Sequence, residues 1–399
     1  PKQHIPNYSE FYEARHFAPA PADNEHVNIP VLGAHGHQIP FGAKLLFAAE
    51  DLPDFVLGID ICEDLWMPIP PSCYHAMASA TVIANLSASD ETTGKEAYRR
   101  QLVSNQSARL ICGYIYADAG EGESSTDLVF AGHNLIAENG SILAQSERFH
   151  NEMTISELDL GRLVSERRRM GTFTITPPAQ AGYEVCSFSF GQPEETTLTR
   201  FYSRTPFVPN VKEDRDRRCN EIFNIQAMGL KKRLAHTHCK SAVIGISGGK
   251  DSSVVAALAV AAYGKENVVG VLMPDGIQPD IDYSNGLVEF LGIRHYVFNI
   301  QGGTGGILDE MAHLGMKPSR QTTVNLPSRM RMVTLYAIAQ SEDAGIVLNT
   351  SNLSEDWVGY CTVYGDATGA FSPLGMYTTE EVIALGAELG LPDKFLIKP

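Results

Sequence analysis

SAVIGISGGKDSSVVAALAVAAYG, residues 241–264, decides how the second half of the chain folds. SAVIGIS is apolar and β-branched, the pattern of a buried strand, and SSVVAALAVAAYG reads as an alanine-rich helix. Between them, Gly248 and Gly249 let the backbone turn sharply and come close to a ligand. A helix that starts after such a turn offers unpaired N–H groups and the positive end of its dipole. The hydroxyls of Ser247, Ser252 and Ser253 can donate to phosphate oxygens, with Lys250 in the same loop. Asp251 would repel a bare phosphate, so its presence points to a Mg2+ bridging it to pyrophosphate oxygens. A glycine turn capped by serines, with no ligand, is the plainer reading. The strand before, the helix after and the aspartate favour a nucleotide.

Working outward, the same alternation continues. A helix over 219–237 precedes the motif. Strands at 267–274, 294–300 and 345–351 then alternate with helices at 283–292 and 327–341. Such alternation predicts a parallel sheet wound on both faces. Upstream, FVLGIDIC (55–62), TVIANLS (81–87) and LICGYIYA (110–117) read as buried strands, with a helix over 95–109. HNLIAENGSILAQS (133–146) reads as a hairpin turning at Asn139-Gly140. Residues 187–215, with several prolines and threonines, read as a linker or a strap across the surface.

Composition narrows the function. The formal net charge is −16, so a nucleic acid backbone is an unfavourable partner. No apolar run reaches membrane-spanning length, and no membrane is expected as a partner. Seven scattered cysteines include no C-x-x-C pair, which argues against a disulfide scaffold or zinc site and for the cytoplasm.

SGGKDS between a strand and a helix resembles the PP-loop of ATP pyrophosphatases. NLPSRMRM (325–332), NTSNLSED (349–356) and GYCTVYGDATGAFSPLG (359–375) follow it in the order seen in NAD synthetases. In the first half, GIDICEDLW around Cys62, ANLSAS, YRRQLVSNQSA and the opening PKQHIPNYSEFYEARHFAP resemble a nitrilase-like glutaminase domain. Together they resemble the glutamine-dependent NAD(+) synthetases. The fold so implied is an N-terminal nitrilase-like αββα sandwich over 1–186, incomplete at its start. A linker over 187–215 leads to a doubly wound parallel-sheet PP-loop domain over 216–399, truncated at its C-terminus.

The resemblance also implies the site residues. Cys62 would be the nucleophile and Lys2 the oxyanion partner, while Tyr8, Glu63, Ser89 and Lys95 match positions that hold glutamine. Glu13 matches a supporting glutamate. The general-base glutamate of the family matches no segment here and is expected upstream of residue 1, as a closing loop is expected beyond Pro399. ATP would meet Ser247, Gly248, Gly249, Lys250, Asp251, Ser252, Ser253 and Thr350. Deamido-NAD would meet Asn325 and Arg329, and Asp251 with Glu355 would hold Mg2+. Val363, Ala370 and Thr379 stand where relatives carry Lys, Asp and Lys, so a dinucleotide site lined by Val363 and Ala370 would lack those charges.

The reaction implied is ATP-driven amidation of deamido-NAD with ammonia from glutamine, in a homo-oligomer with an internal ammonia tunnel. Two other readings stay open: a PP-loop amidotransferase acting on another acceptor, and a nucleotide-binding relative with weak or lost activity.

Overall fold

The computed structural model describes residues 1–28, 38–124, 127–191, 195–342 and 344–397. They divide into two compact units, Pro1–Phe201 and Tyr202–Pro399.

In the first unit a short ribbon pairs β1 (Glu25–Val27) with β2 (Ile39–Phe41). The sheet is built from β3 (Leu45–Ala49), β4 (Val56–Ile61), β5 (Val82–Ser87), β6 (Gly113–Asp118), β7 (Leu135–Glu138), β8 (Ser141–Gln145) and β9 (Glu184–Phe188). Its order is β8-β7-β6-β5-β4-β3-β9. Strands β4, β5 and β6 run parallel, as their crossovers through α1 (Pro71–Met77) and α2 (Lys95–Leu110) require. Helix α3 (Leu160–Arg169) follows the hairpin. Asn139 and Gly140 both have positive φ, 44° and 91°, which a two-residue hairpin turn demands. Among the described residues this unit contains one large sheet, a single β layer of the sandwich that the resemblance implies.

Strand β6 starts later than its apolar run suggests. Leu110 closes α2 and Ile111 turns at φ 45°. The buried Arg167 guanidinium holds the turn ahead of the strand, donating to the carbonyls of Ala80, Leu110 and Ile111 at 2.7, 2.9 and 3.0 Å. The boundary expected at residue 186 falls inside β9. Beyond it, Arg200 fastens to the buried Glu138 carboxylate with two 2.9 Å bonds, so this end of the expected linker is a strap on the first unit.

The second unit opens with α4 (Lys212–Thr237), which starts ahead of the boundary expected at 216. It is followed by β10 (Ser241–Gly245), α5 (Lys250–Tyr263), β11 (Val268–Leu272), α6 (Ile281–Leu291), β12 (Arg294–Val297), α7 (Gln301–His313), α8 (Arg320–Ser341), β13 (Gly345–Leu348), α9 (Leu353–Val358) and α10 (Thr379–Glu388). All four strands are parallel in the order β12-β11-β10-β13, so the winding reverses between β10 and β13. Strand alternation divides the core. Ala242 and Ile244 face Leu230, Leu234, Val255 and Leu258 of α4 and α5, whereas Val243 packs with Val271, Val347 and Ala339 on the α8 side.

Two helices depart from the sequence reading. Helix α7, which the sequence reading does not include, begins QGGTGG, packs beside α8 and buries Thr304. Helix α8 starts at Arg320 and carries Pro327 in its interior. The proline reads as a helix start, but here it removes one N–H from a helix held by its packing on β10 and β13.

Candidate functional site

In the first unit, β4 delivers Cys62 into a tight 3-10 turn, Cys62–Trp66. Cys62 has φ 48°, a conformation that a non-glycine residue holds at a cost on the order of 1–3 kcal/mol. Two side chains hold it there. Asn85 on the neighbouring strand β5 accepts the Cys62 N–H through Oδ1 at 3.2 Å. The Asp64 carboxylate accepts from the N–H groups of Ile61, His4 and Gln3 at 3.0, 2.9 and 3.1 Å. Asp64 thereby ties the segment that carries Lys2 to the cysteine turn.

Lys2 donates to Glu13 Oε2 at 2.6 Å, and its side chain is largely buried. Tyr8 donates its hydroxyl to Glu63, 3.0 Å from each carboxylate oxygen. Burial, with the Glu63 hydrogen bond and nearby charges, pushes the Tyr8 hydroxyl up to about 12. Burial also raises the Glu63 carboxyl, against the pull of Tyr8 and Lys2. Lys2, Tyr8, Glu13, Cys62 and Glu63 therefore form one cluster: a thiol, an ammonium, a hydroxyl and two carboxylates. Such a set can attack a carbonyl and bind an α-amino group.

Lys95 is placed beside this cluster. Lys95 bonds Asp90 at 2.7 Å and lies over the rings of Trp66 and Phe11, 5.4 and 5.9 Å from their centroids. The Ser89 N–H donates to Asp118 at 3.2 Å. Asn85, Asp64 and Asp118 carry much of the geometry, and the sequence reading did not assign them roles. Asn85 had a signal: it is an amide inside the otherwise apolar run TVIANLS.

In the second unit the glycine loop follows β10 at the reversal of the sheet, where open α/β folds bind ligands. Gly248 has φ 77°, and a Cβ there would sit 3.0 Å from Ser284 Oγ and Tyr283 Cβ. Ser252 and Ser253 donate to the Gly249 carbonyl at 3.1 and 2.8 Å, and the Ser247 N–H donates to Ser252 Oγ at 3.3 Å. Asp251 is 3.0 Å from Lys250 Nζ and accepts from Asn352 Nδ2 at 2.9 Å. The Asn352 N–H also donates to Glu355 at 3.3 Å. Burial raises the Glu355 carboxyl, and the Asp251 charge raises it further. The two carboxylates thus feel each other across Asn352.

Beside the loop opens a cavity of about 800 Å³, lined by Ser247, Asn325, Ser328, Arg331, Thr350 and Asp366 among others. Asn325 and Thr350 are both in its lining. Arg329 is exposed and donates to the Val363 carbonyl at 3.3 Å, while Arg331, two residues on, lines the cavity. The sequence expectation for Ala370 is corrected. Its N–H donates to the Val347 carbonyl at 2.9 Å and its side chain packs on the core, so an aspartate there would not face this cavity. Thr379 starts α10 and donates its N–H to Ser354 Oγ at 3.1 Å, also outside the lining.

Sheet order, loop and cavity define the second unit as an open α/β nucleotide-binding fold. Residues 222–399 match the family model described as NAD synthase. The chain is 38% identical over 382 residues to a Mycobacterium tuberculosis protein called glutamine-dependent NAD(+) synthetase, covering 92% of this chain and 55% of that one. The Thermotoga maritima protein of the same name is 29% identical over 414 residues, 99% of this chain and 64% of its own. A solved glutamine-dependent NAD+ synthetase from Acinetobacter baumannii, in complex with adenosine diphosphate, covers 100% of this chain and 64% of that one. Its identity is 22% and its TM-score 0.44, too low for an argument to rest on. Over most of its length the chain is thus similar to glutamine-dependent NAD(+) synthetases. It spans about half the length of the curated relatives it matches.

Asp118, which holds Ser89, yields a pH prediction. Burial pushes its carboxyl from 3.8 up to about 6, against the pull of Arg99. A carboxyl raised on folding favours the folded state while protonated. That contribution is whole below about pH 4 and lost as pH rises to about 6. Asp118→Asn cannot titrate. Wild-type stability minus that of the variant should therefore fall by on the order of 3 kcal/mol between pH 4 and pH 7. Urea unfolding at several pH values measures this, and a flat difference would contradict the burial argument.

Proposed function

We propose that the chain hydrolyses glutamine at Cys62 and uses the ammonia, with ATP, to amidate deamido-NAD to NAD. The observation that carries the reading is the strained Cys62 turn, clustered with Lys2, Tyr8 and Glu63, in one chain with a serine–glycine loop beside a nucleotide-sized cavity.

In the first half-reaction the Cys62 thiolate attacks the glutamine amide carbon. Lys2, paired with Glu13, would supply the ammonium that faces the oxyanion. The C–N bond breaks, ammonia leaves with a proton, and the acyl group stays on sulfur as a thioester. Water then cleaves the thioester to glutamate and free thiol. Glu63, Tyr8, Ser89 and Lys95 suit the charged amino-acid end of the substrate.

In the second half-reaction the nicotinate carboxylate of deamido-NAD attacks the α-phosphorus of ATP and pyrophosphate leaves. Ammonia then displaces AMP. Residues 247–253 with Thr350 would hold ATP, and Asn325, Arg329 and Arg331 the acceptor. Asp251 and Glu355 suit a Mg2+ site: two carboxylates joined through Asn352, beside a phosphate loop. The ion, when bound, would offset charge on the pyrophosphate.

A homo-oligomer in a reducing cytoplasm completes the reading. Seven free cysteines fit that compartment, and no described helix is long and apolar enough to cross a membrane.

Two substitutions test the halves separately. Cys62→Ala should abolish NAD formation from glutamine but leave formation from ammonium chloride within about twofold, because the second site needs only free ammonia. Equal loss with either nitrogen source would contradict the assignment. Asp251→Asn should raise the Mg2+ concentration needed for half-maximal rate by about tenfold with either donor, in line with loss of one charged oxygen ligand. An unchanged Mg2+ dependence would remove Asp251 from the metal site.

A further inference from the structure

Behind Cys62 lies a buried chain of polar groups that the proposed chemistry does not use. It begins at Asn85, whose Oδ1 accepts the Cys62 N–H at 3.2 Å and whose Nδ2 faces the Cys62 carbonyl at 3.5 Å. Asn85 Nδ2 also lies 3.5 Å from the Tyr114 hydroxyl. Tyr114 in turn donates to Asp60 Oδ2 at 3.4 Å. The other Asp60 oxygen lies 3.4 Å from His75 Nε2, and His75 Nδ1 meets the Tyr183 hydroxyl at 2.8 Å. Asn85, Tyr114, Asp60 and His75 are all buried, at 1% exposure or less. Room for the imidazole is specific: a Cβ at Gly58 would come within 2.8 Å of His75 Cβ.

We propose that Asn85 is a positioning residue for Cys62, and that the buried Asp60 carboxylate fixes which way the Asn85 amide faces. The inference rests on the reading of Cys62 as the glutamine nucleophile. An amide can present either its oxygen or its NH2 group to a neighbour, and only the oxygen can accept the Cys62 N–H. The Tyr114 hydroxyl donates to Asp60 Oδ2 and turns its lone pairs to Asn85 Nδ2. That leaves Asn85 Oδ1 facing Cys62. The sense of the whole chain is thus set from the buried end, and the cysteine's own peptide groups are gripped in the φ 48° turn that presents its sulfur. Asn85 touches the nucleophile's backbone and not the substrate, so it acts on turnover through Cys62.

The test uses the full chain and the two nitrogen sources. Asn85→Ala should lower kcat for glutamine hydrolysis by about tenfold or more, since a buried hydrogen bond at the nucleophile is lost. KM for glutamine should stay within about twofold, and ammonia-driven NAD formation should be unchanged. Asn85→Asp is nearly isosteric. Its protonated side chain both accepts and donates, whereas its ionised form only accepts. Its glutamine hydrolysis should recover relative to wild type as pH is lowered, a pH dependence that a purely structural amide would not produce. Should Asn85→Ala lose its melting transition, Asn85→Asp carries the test alone. A kcat within about twofold of wild type in Asn85→Ala, a loss confined to KM, or a pH profile for Asn85→Asp parallel to wild type overturns the inference. A Cys62→Ala chain that still hydrolyses glutamine overturns the functional reading instead.

Discussion

Holding a cysteine at φ 48° is the constraint on which the first unit turns. The conformation is costly for any side chain, so it persists only where neighbours over-determine it. Here Asn85 grips the residue from β5, and Asp64 gathers three backbone N–H groups around the turn. Because two of those groups belong to Gln3 and His4, the contact that shapes the turn also brings Lys2 beside it. Lys2 meets Glu13, and Tyr8 meets Glu63, within the same short reach of chain. Backbone strain and site assembly are thus one arrangement, shared by the Asn85 amide and the Asp64 carboxylate.

The second unit solves a different problem with the end of a parallel strand. Strand β10 stops where the sheet reverses, and Gly248 takes the positive φ that lets the chain pass against Ser284 and Tyr283. Serine hydroxyls fold the loop back on the Gly249 carbonyl and shape the start of α5. Across the reversal, the segment after β13 supplies Asn352, which links Asp251 to Glu355. Residues about a hundred positions apart therefore meet because β10 and β13 are neighbours.

Much of this was legible in the sequence, and the exceptions have physical causes. The strand–glycine–helix reading at 241–264 holds, as do the Asn139-Gly140 turn and the helix over 95–109, because each depends on local periodicity or local φ. Tertiary contacts overrode the rest. Leu110 and Ile111 close α2 instead of opening β6, and Arg167, from a helix about fifty residues further on, takes both their carbonyls. Pro327 reads as a helix start and lies inside α8. Helix α7 has no counterpart in the sequence reading. Matching by position singled out Cys62, Lys2, Tyr8 and Glu63, and the fold brings these four near one another. It could not say that Arg331 rather than Arg329 lines the cavity, because helix rotation is set by packing. Nor could it say that Ala370 turns into the core. Asn85 and Asp118 act through strand pairing and burial, which spacing along the chain does not reveal.

The central claim is that Cys62 is a glutamine-directed nucleophile. A glutamine analogue carrying a diazoketone in place of the amide tests it most directly, because it alkylates the thiol that would attack the amide carbon. After incubation with the full chain, peptide mass mapping should find one adduct per chain, on Cys62, and excess glutamine should prevent it. Labelling of the exposed Cys361 with Cys62 untouched, or labelling of Cys62 that glutamine does not slow, would contradict the account.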